Sequence, residues 1–90
     1  MELKDLREQI DAIDVELTKL FIKRMGIAKQ VAEYKKANNL PVCAQLREEQ
    51  ILQNLVRIAG DEYSDYVSAL YSTIFTLSRS CQEQQISAEN

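Results

Sequence analysis

The chain has 90 residues, of which 46% are hydrophobic, with a net charge of −3 and no histidine. The hydrophobic share excludes a disordered tail, and the negative balance argues against nucleic acid as a ligand. The apolar runs are too short to cross a bilayer, and the charged N-terminal stretch does not resemble a signal peptide. Folding alone would remove only about 60–65% of the surface of so short a chain from water, so a partner chain would add to its core.

The first predicted helix spans about residues 3–36 and carries one apolar stripe. Nine stripe positions follow each other at spacings of three and four, and eight of them are apolar: Leu6, Ile10, Ile13, Leu17, Leu20, Arg24, Ile27, Val31 and Tyr34. This repeat is typical of a helix that packs lengthwise on other helices. The exception, Arg24, is therefore predicted to point inward.

Two shorter helices are predicted after Pro41, which marks the end of the first. The second helix spans about residues 44–59 and ends at Gly60, a natural C-terminal cap. The third spans about residues 62–84, and the polar tail 85–90 is expected to fray. No strand-like alternation competes with these patterns. We therefore predict one all-α domain that covers all 90 residues and has three helices, one long and two shorter.

The first helix is too long for a compact monomer. At about 1.5 Å per residue it would span roughly 50 Å, whereas a compact chain of this length has a diameter of about 30 Å. The overhanging part of its apolar stripe would need a second copy of the chain. We therefore predict an intertwined, two-fold helical homodimer.

Cys43 and Cys81 are the only cysteines, and no secretory context accompanies them. We interpret both as free thiols and expect the protein to be cytoplasmic. Neither a metal-binding motif nor a glycine-rich phosphate loop occurs, so the sequence implies no metal and no cofactor. Any anionic ligand must be held by a local group of cations.

Three cations of the first helix are candidates for such a group. A buried guanidinium needs an anionic partner, so Arg24 pairs either with an internal carboxylate, such as Asp14, Glu16 or one on the second helix, or with a ligand. Lys35 lies about 16 Å further along and within roughly 20° of the same face, so it could reach the same ligand. Arg7 lies about 25 Å from Arg24 on another face, and is either a solvated cation or reaches the site of a partner chain.

The later helices add four polar candidates. Ser78 and Gln82 lie four residues apart on the inward line of the third helix, and either contact a ligand or lie in a frayed end. Arg47 and Glu48 open the second helix, and either join the site or form an exposed ion pair. The candidates together are more positive than negative, which fits a small dicarboxylate. Because they include no nucleophile or tuned general base, they suit a unimolecular reaction driven by conformer binding and charge stabilisation.

Nearly the whole chain resembles the all-helical chorismate mutases. The likeness rests on LREQIDAIDVELTKLFIKRMGIAKQVAEYKK, LPV, RE and SRSCQ, and most specifically on the stretch from Leu6 to Asp14. Enzymes of this family convert chorismate to prephenate in the biosynthesis of phenylalanine and tyrosine, without a cofactor. They are dimers whose sites borrow an arginine from the other subunit. The resemblance implies the same fold and the same Claisen rearrangement for this chain.

The resemblance implies that four of the candidates hold the body of the substrate. Arg7 of one chain and Arg24 of the other would bind carboxylates. Arg47 would help to hold the ligand, and Ser78 would contact a carboxylate.

The resemblance assigns the remaining candidates to the ether bond and the hydroxyl. Lys35 and Gln82 would donate to the ether oxygen as its bond to carbon breaks, and Glu48 would accept from the substrate hydroxyl. One departure from the family pattern is Ala44, next to Cys43, where the family often has an aspartate. Any side-chain role at that position is lost, although a backbone N–H could still serve.

Two other functions fit the same patterns. An isochorismate–pyruvate lyase would share the fold and the cations, and would release salicylate and pyruvate. A non-catalytic dimerisation or docking domain would use Arg24 only as a paired internal cation. Domains of this family also occur with other enzymes of aromatic amino-acid synthesis, so such an enzyme is a candidate partner.

Overall fold

The computed structural model describes residues 2–42 and 44–89, which form two helices. α1 spans Leu3–Ala37 and α2 spans Gln45–Glu89. The predicted all-helical class is confirmed, but the predicted number of three helices is wrong, because the chain after the loop forms one helical element. Neither described helix combines the length and the apolar character that a membrane crossing requires.

α1 ends in a turn built by two asparagines. The backbone N–H and the side-chain Nδ2 of Asn38 both donate to the carbonyl of Tyr34, at 3.1 and 2.8 Å. Asn39 follows with a φ of 58°, a left-handed conformation that asparagine tolerates better than most residues. The N–H of Leu40 then donates back to the carbonyl of Lys35 at 2.8 Å. This turn satisfies the last carbonyls of the helix and fixes the backbone of Lys35 beside the loop.

Gly60 interrupts the helical geometry of α2. Its φ of 77° and ψ of 172° lie in a region that essentially only glycine adopts. The kink lies at the boundary that the sequence predicts between a second and a third helix, yet no loop separates the first part of α2 (residues 45–59) from the second part (residues 61–89). The helix also continues to Glu89, beyond its predicted end near residue 84.

The buried core is small and lies between the second half of α1 and the second part of α2. Its apolar members are Ala28, Ala32 and Phe75, and the two alanines allow the helices to approach closely. Cys81, on the same part of α2, is a free thiol as predicted. Cys43 lies outside the described residues.

The first half of α1 extends beyond this core and leaves its apolar stripe exposed. The large apolar side chains that lie open to solvent there include Leu3, Leu6, Ile10, Ile13, Leu17 and Leu20. The chain is 54 Å long and only 14 Å thick, with a radius of gyration of 16.3 Å, whereas a compact chain of this size would have about 12 Å. A contiguous apolar surface of this kind is typical of an interaction site.

We expect Gly60→Ala to lower the free energy of unfolding by about 1–3 kcal/mol, because a side chain is strained at this positive φ. Gly26→Ala, inside α1, is the matched control, since an added methyl meets nothing within 4 Å at either glycine. The control should raise the free energy of unfolding by about 0.5–1 kcal/mol. Urea denaturation measures both free energies of unfolding. If both substitutions changed the free energy of unfolding in the same direction, the result would contradict a positive φ at Gly60.

Candidate active site

A cavity of about 360 Å³ lies between α1, the loop and both parts of α2. This volume is in the range of small-molecule sites. Six of the seven predicted site residues line it: Arg24, Lys35, Arg47, Glu48, Ser78 and Gln82. The remaining lining residues are apolar: Ile27, Ala28, Val31, Val42, Ala44, Ile51 and Phe75. The fold thus gathers polar groups from distant parts of the sequence around one apolar-walled space.

Arg7 is the predicted site residue that does not line the cavity. It is exposed on the first half of α1, about 25 Å along the helix axis from Arg24. Its predicted role therefore depends on a second chain.

Arg24 lies against aromatic rings and not against a carboxylate. Its Cζ atom is 5.9 Å from the ring centroid of Tyr71 and 5.9 Å from that of Phe75. Within residues 2–42 and 44–89 the guanidinium forms no ion pair, so neither Asp14 nor Glu16 neutralises it. Aromatic faces hold a guanidinium without compensating its full charge. Its N–H groups can therefore bind an anion in the cavity.

Lys35 supplies a second cation from the last turn of α1. Its Nζ donates to the carbonyl of Val42 at 2.7 Å, in a part-buried position. This bond ties the end of α1 to the loop that precedes α2. Because an ammonium group has three N–H donors and a carbonyl compensates no charge, Lys35 can still donate to an anion.

Ser78 and Gln82 form a buried polar pair on the second part of α2. Gln82 Nε2 donates to Ser78 Oγ at 3.3 Å, and the two residues are only 8% and 7% exposed. The two residues do not lie in a frayed helix end, because α2 continues to Glu89. The buried Gln82 Oε1 has no hydrogen-bond partner within the described part of the chain. Such an atom costs about 1–3 kcal/mol of stability, and that cost is typical of a group kept for a ligand.

Glu48 is held by Arg79, a residue that the sequence analysis missed. Arg79 Nη1 donates to both carboxylate oxygens of Glu48, at 2.5 and 2.7 Å. One alternative from the sequence was an exposed ion pair of Arg47 with Glu48. In the structure Glu48 instead forms a part-buried ion pair with Arg79. The contact joins residues 31 positions apart, and no local pattern in the sequence could have indicated it.

The cavity is electrostatically positive. Among the described residues that line it, Arg24, Lys35 and Arg47 are cations and Glu48 is the single carboxylate. Arg79 compensates the charge of that carboxylate. Ala44 also lines the cavity and brings no acceptor side chain; its carbonyl accepts from the backbone N–H of Glu48 at 3.0 Å. The arrangement suits a small ligand with two carboxylates.

A family profile described as chorismate mutase type II matches residues 6–83, which is most of the chain. The chain belongs to the type II chorismate mutase family. The resemblance that the sequence motifs indicate is therefore confirmed. No solved structure gives a significant match.

The chain is also similar to individual proteins that are named as mutases of chorismate or of its 4-amino analogue. A bifunctional chorismate mutase/prephenate dehydratase of Aquifex aeolicus is 39% identical over 62 residues, which are 69% of this chain but 17% of that protein. A 4-amino-4-deoxychorismate mutase of Streptomyces pristinaespiralis is 33% identical over 76 residues, 82% of this chain and 59% of the relative. A chorismate mutase of Methanocaldococcus jannaschii is 31% identical over 64 residues, which are 71% of this chain and 65% of that protein. The chain thus spans less than two thirds of each of these relatives.

We expect Gln82→Met to raise the free energy of unfolding by about 1 kcal/mol, because it removes a buried amide oxygen that lacks a donor. Gln84→Met on the same helix is the matched control, since Gln84 is exposed, and its stability should stay nearly unchanged. Thermal and urea denaturation measure both variants. Marked destabilisation by Gln82→Met alone would mean that the amide serves the fold and not a ligand.

Proposed function

We propose that this chain is a chorismate mutase that converts chorismate to prephenate in the biosynthesis of aromatic amino acids. The observation that carries the proposal is the cavity itself, whose described lining residues include three cations, one arginine-held carboxylate and a buried serine–glutamine pair. Chorismate has two carboxylates, an ether bond and a ring hydroxyl, so its groups match this set in charge and number. Membership of the type II family supports the same reaction.

Binding would first select a folded conformer of the substrate. Arg24 and Arg47 would hold carboxylates, with Arg7 of a second chain beside them and Ser78 contacting a carboxylate oxygen. The apolar walls would pack against the ring and the enolpyruvyl side chain. Holding the two reacting carbons close together lowers the entropic part of the barrier, and no proton has to move.

The rearrangement breaks the ether C–O bond as a new C–C bond forms, and negative charge grows on the ether oxygen. Lys35 Nζ and Gln82 Nε2 would donate to that oxygen. Each such donor in a dry site contributes about 3–4 kcal/mol to transition-state stabilisation, so two or three donors account for the roughly 8 kcal/mol behind a millionfold acceleration. This chemistry requires no cofactor.

Glu48 would accept a hydrogen bond from the ring hydroxyl. It is the single acidic side chain among the described lining residues, and Ala44 leaves it without a carboxylate neighbour there. Arg79 keeps both oxygens in place, and lone pairs remain on them for the substrate.

The proposed functional unit is a homodimer. The exposed stripe of α1 and the elongated shape of the single chain support it, and Arg7 would enter the site of the partner. The name of the Aquifex aeolicus relative joins a chorismate mutase to a prephenate dehydratase, so another enzyme of aromatic amino-acid synthesis is the further partner that we propose. A cytoplasmic location stays a prediction from the sequence.

We expect Lys35→Ala and Gln82→Ala each to lower kcat for prephenate formation by about a hundredfold or more, because each removes a donor to the ether oxygen. Lys29→Ala is the control: Lys29 is an exposed cation of α1 that does not line the cavity, and its kcat should match the wild type. Loss of chorismate absorbance and detection of prephenate measure the rates. Full activity of both folded variants would refute the proposal, and salicylate plus pyruvate from isochorismate would favour a lyase.

A complementation experiment tests whether Arg7 acts in the site of the partner. Arg7→Ala and Arg24→Ala should each be nearly inactive alone, because both sites of either homodimer lack one arginine. In a mixture that exchanges chains freely, half of the dimers are mixed and each has one intact site, so about a quarter of wild-type activity should return. No recovery would mean that Arg7 does not act across the dimer.

A further inference from the structure

Glu48 is the group by which the cavity would distinguish a neutral donor from a cationic one. It is the single acidic side chain among the described residues that line the space. A bare carboxylate in a part-buried position attracts an ammonium group more strongly than a neutral hydroxyl, since the first interaction carries full charges. The discrimination therefore depends on what else contacts the carboxylate.

Arg79 contacts this carboxylate from outside the set of lining residues. Its neighbour Ser78 lines the cavity, whereas Arg79 does not, because successive residues of a helix are rotated by about 100°. Its Nη1 donates to both oxygens of Glu48, and the two side chains are 34% and 23% exposed. Two successive residues of α2 thus have different roles: Ser78 contributes a hydroxyl to the cavity, and Arg79 contributes a cation to the Glu48 carboxylate.

The contact changes what Glu48 can select. Arg79 compensates the negative charge and would repel a second cation brought to the same carboxylate. The oxygens keep lone pairs, so a hydroxyl can still donate to them. The position of the carboxylate is also fixed by two hydrogen bonds from one nitrogen, which limits its adjustment to a different donor.

We propose that Arg79 is a positioning and specificity-determining residue, which acts through Glu48 to make the site select a substrate with a neutral ring hydroxyl over one with a ring ammonium group. The inference rests on the proposed function. Arg79 does not touch the substrate in this mechanism.

The test compares chorismate with 4-amino-4-deoxychorismate, which replaces the hydroxyl by an amine that is protonated at neutral pH. For Arg79→Met, the ratio of kcat/KM for chorismate to that for the amine should fall by about tenfold. Arg79→Lys is the matched control, because it keeps the charge beside Glu48, and its ratio should stay within about threefold of the wild type. If Arg79→Met does not fold, Arg79→Gln takes its place with the same expected shift.

A second arm shows whether Arg79 acts through Glu48. In a Glu48→Gln background, Arg79→Met should change the ratio much less than it does with Glu48 present, since no carboxylate remains to be compensated and only the direct repulsion of the ammonium group is lost. An equal loss of kcat/KM for both substrates in Arg79→Met would indicate a merely structural role and overturn the inference. If Arg79→Met changed the ratio of the two kcat/KM values equally with and without the Glu48 carboxylate, the inference would also be overturned.

The failure of this inference and that of the proposed function are distinguishable. A wild-type protein that rearranges chorismate, combined with an unchanged ratio in Arg79→Met, would refute the inference alone. A folded wild-type protein that rearranges neither compound would refute the proposed function, and the inference with it.

Discussion

The guanidinium of Arg24 lies in the apolar stripe of α1, packed against the rings of Tyr71 and Phe75, and no described carboxylate compensates its charge. This arrangement constrains the rest of the structure. A charge held in this way needs either water or an anion beside it, so α1 and α2 cannot close into a continuous apolar core at this level. The space that remains is the cavity. Residues at spacings of three and four on α2 put Phe75, Ser78 and Gln82 on the same side of it.

The same constraint accounts for the small core of the single chain. Polar groups occupy positions on both helices where apolar side chains would otherwise pack, and the buried apolar side chains among the described residues are those of Ala28, Ala32 and Phe75. The first half of α1 adds a long apolar surface that the chain does not cover itself. Dimer formation and ligand binding would both act on the folded state alone, and each would therefore raise its stability by mass action. The stability and the activity of such a chain would then both depend on its concentration.

Features set by local patterns could be predicted from the sequence, whereas features set by the angle between distant segments could not. The extent of α1 and the inward direction of Arg24 follow from a regular spacing of three and four, and Lys35 follows from the eleven-residue return of a helix to one face. Gly60 marks a break, but a glycine permits a loop as well as a kink, and only its backbone angles distinguish them. The partner of Arg24 stayed open because several carboxylates were equally compatible with the pattern. The Arg79–Glu48 contact depends on how the kink orients the two parts of α2, which no local rule describes.

The kink at Gly60 therefore has a role beyond the fold. The first part of α2 carries Glu48 and the second part carries Arg79, so the angle at one glycine sets whether Nη1 can reach both carboxylate oxygens. The departure from the family pattern at Ala44 affects the surroundings of Glu48, because it leaves Glu48 as the one carboxylate among the described residues of the cavity wall. With one carboxylate in place of two, the geometry of that carboxylate matters more, and Arg79 holds it by two hydrogen bonds. The selectivity of this end of the site would then depend on the backbone conformation of a residue that does not line the cavity.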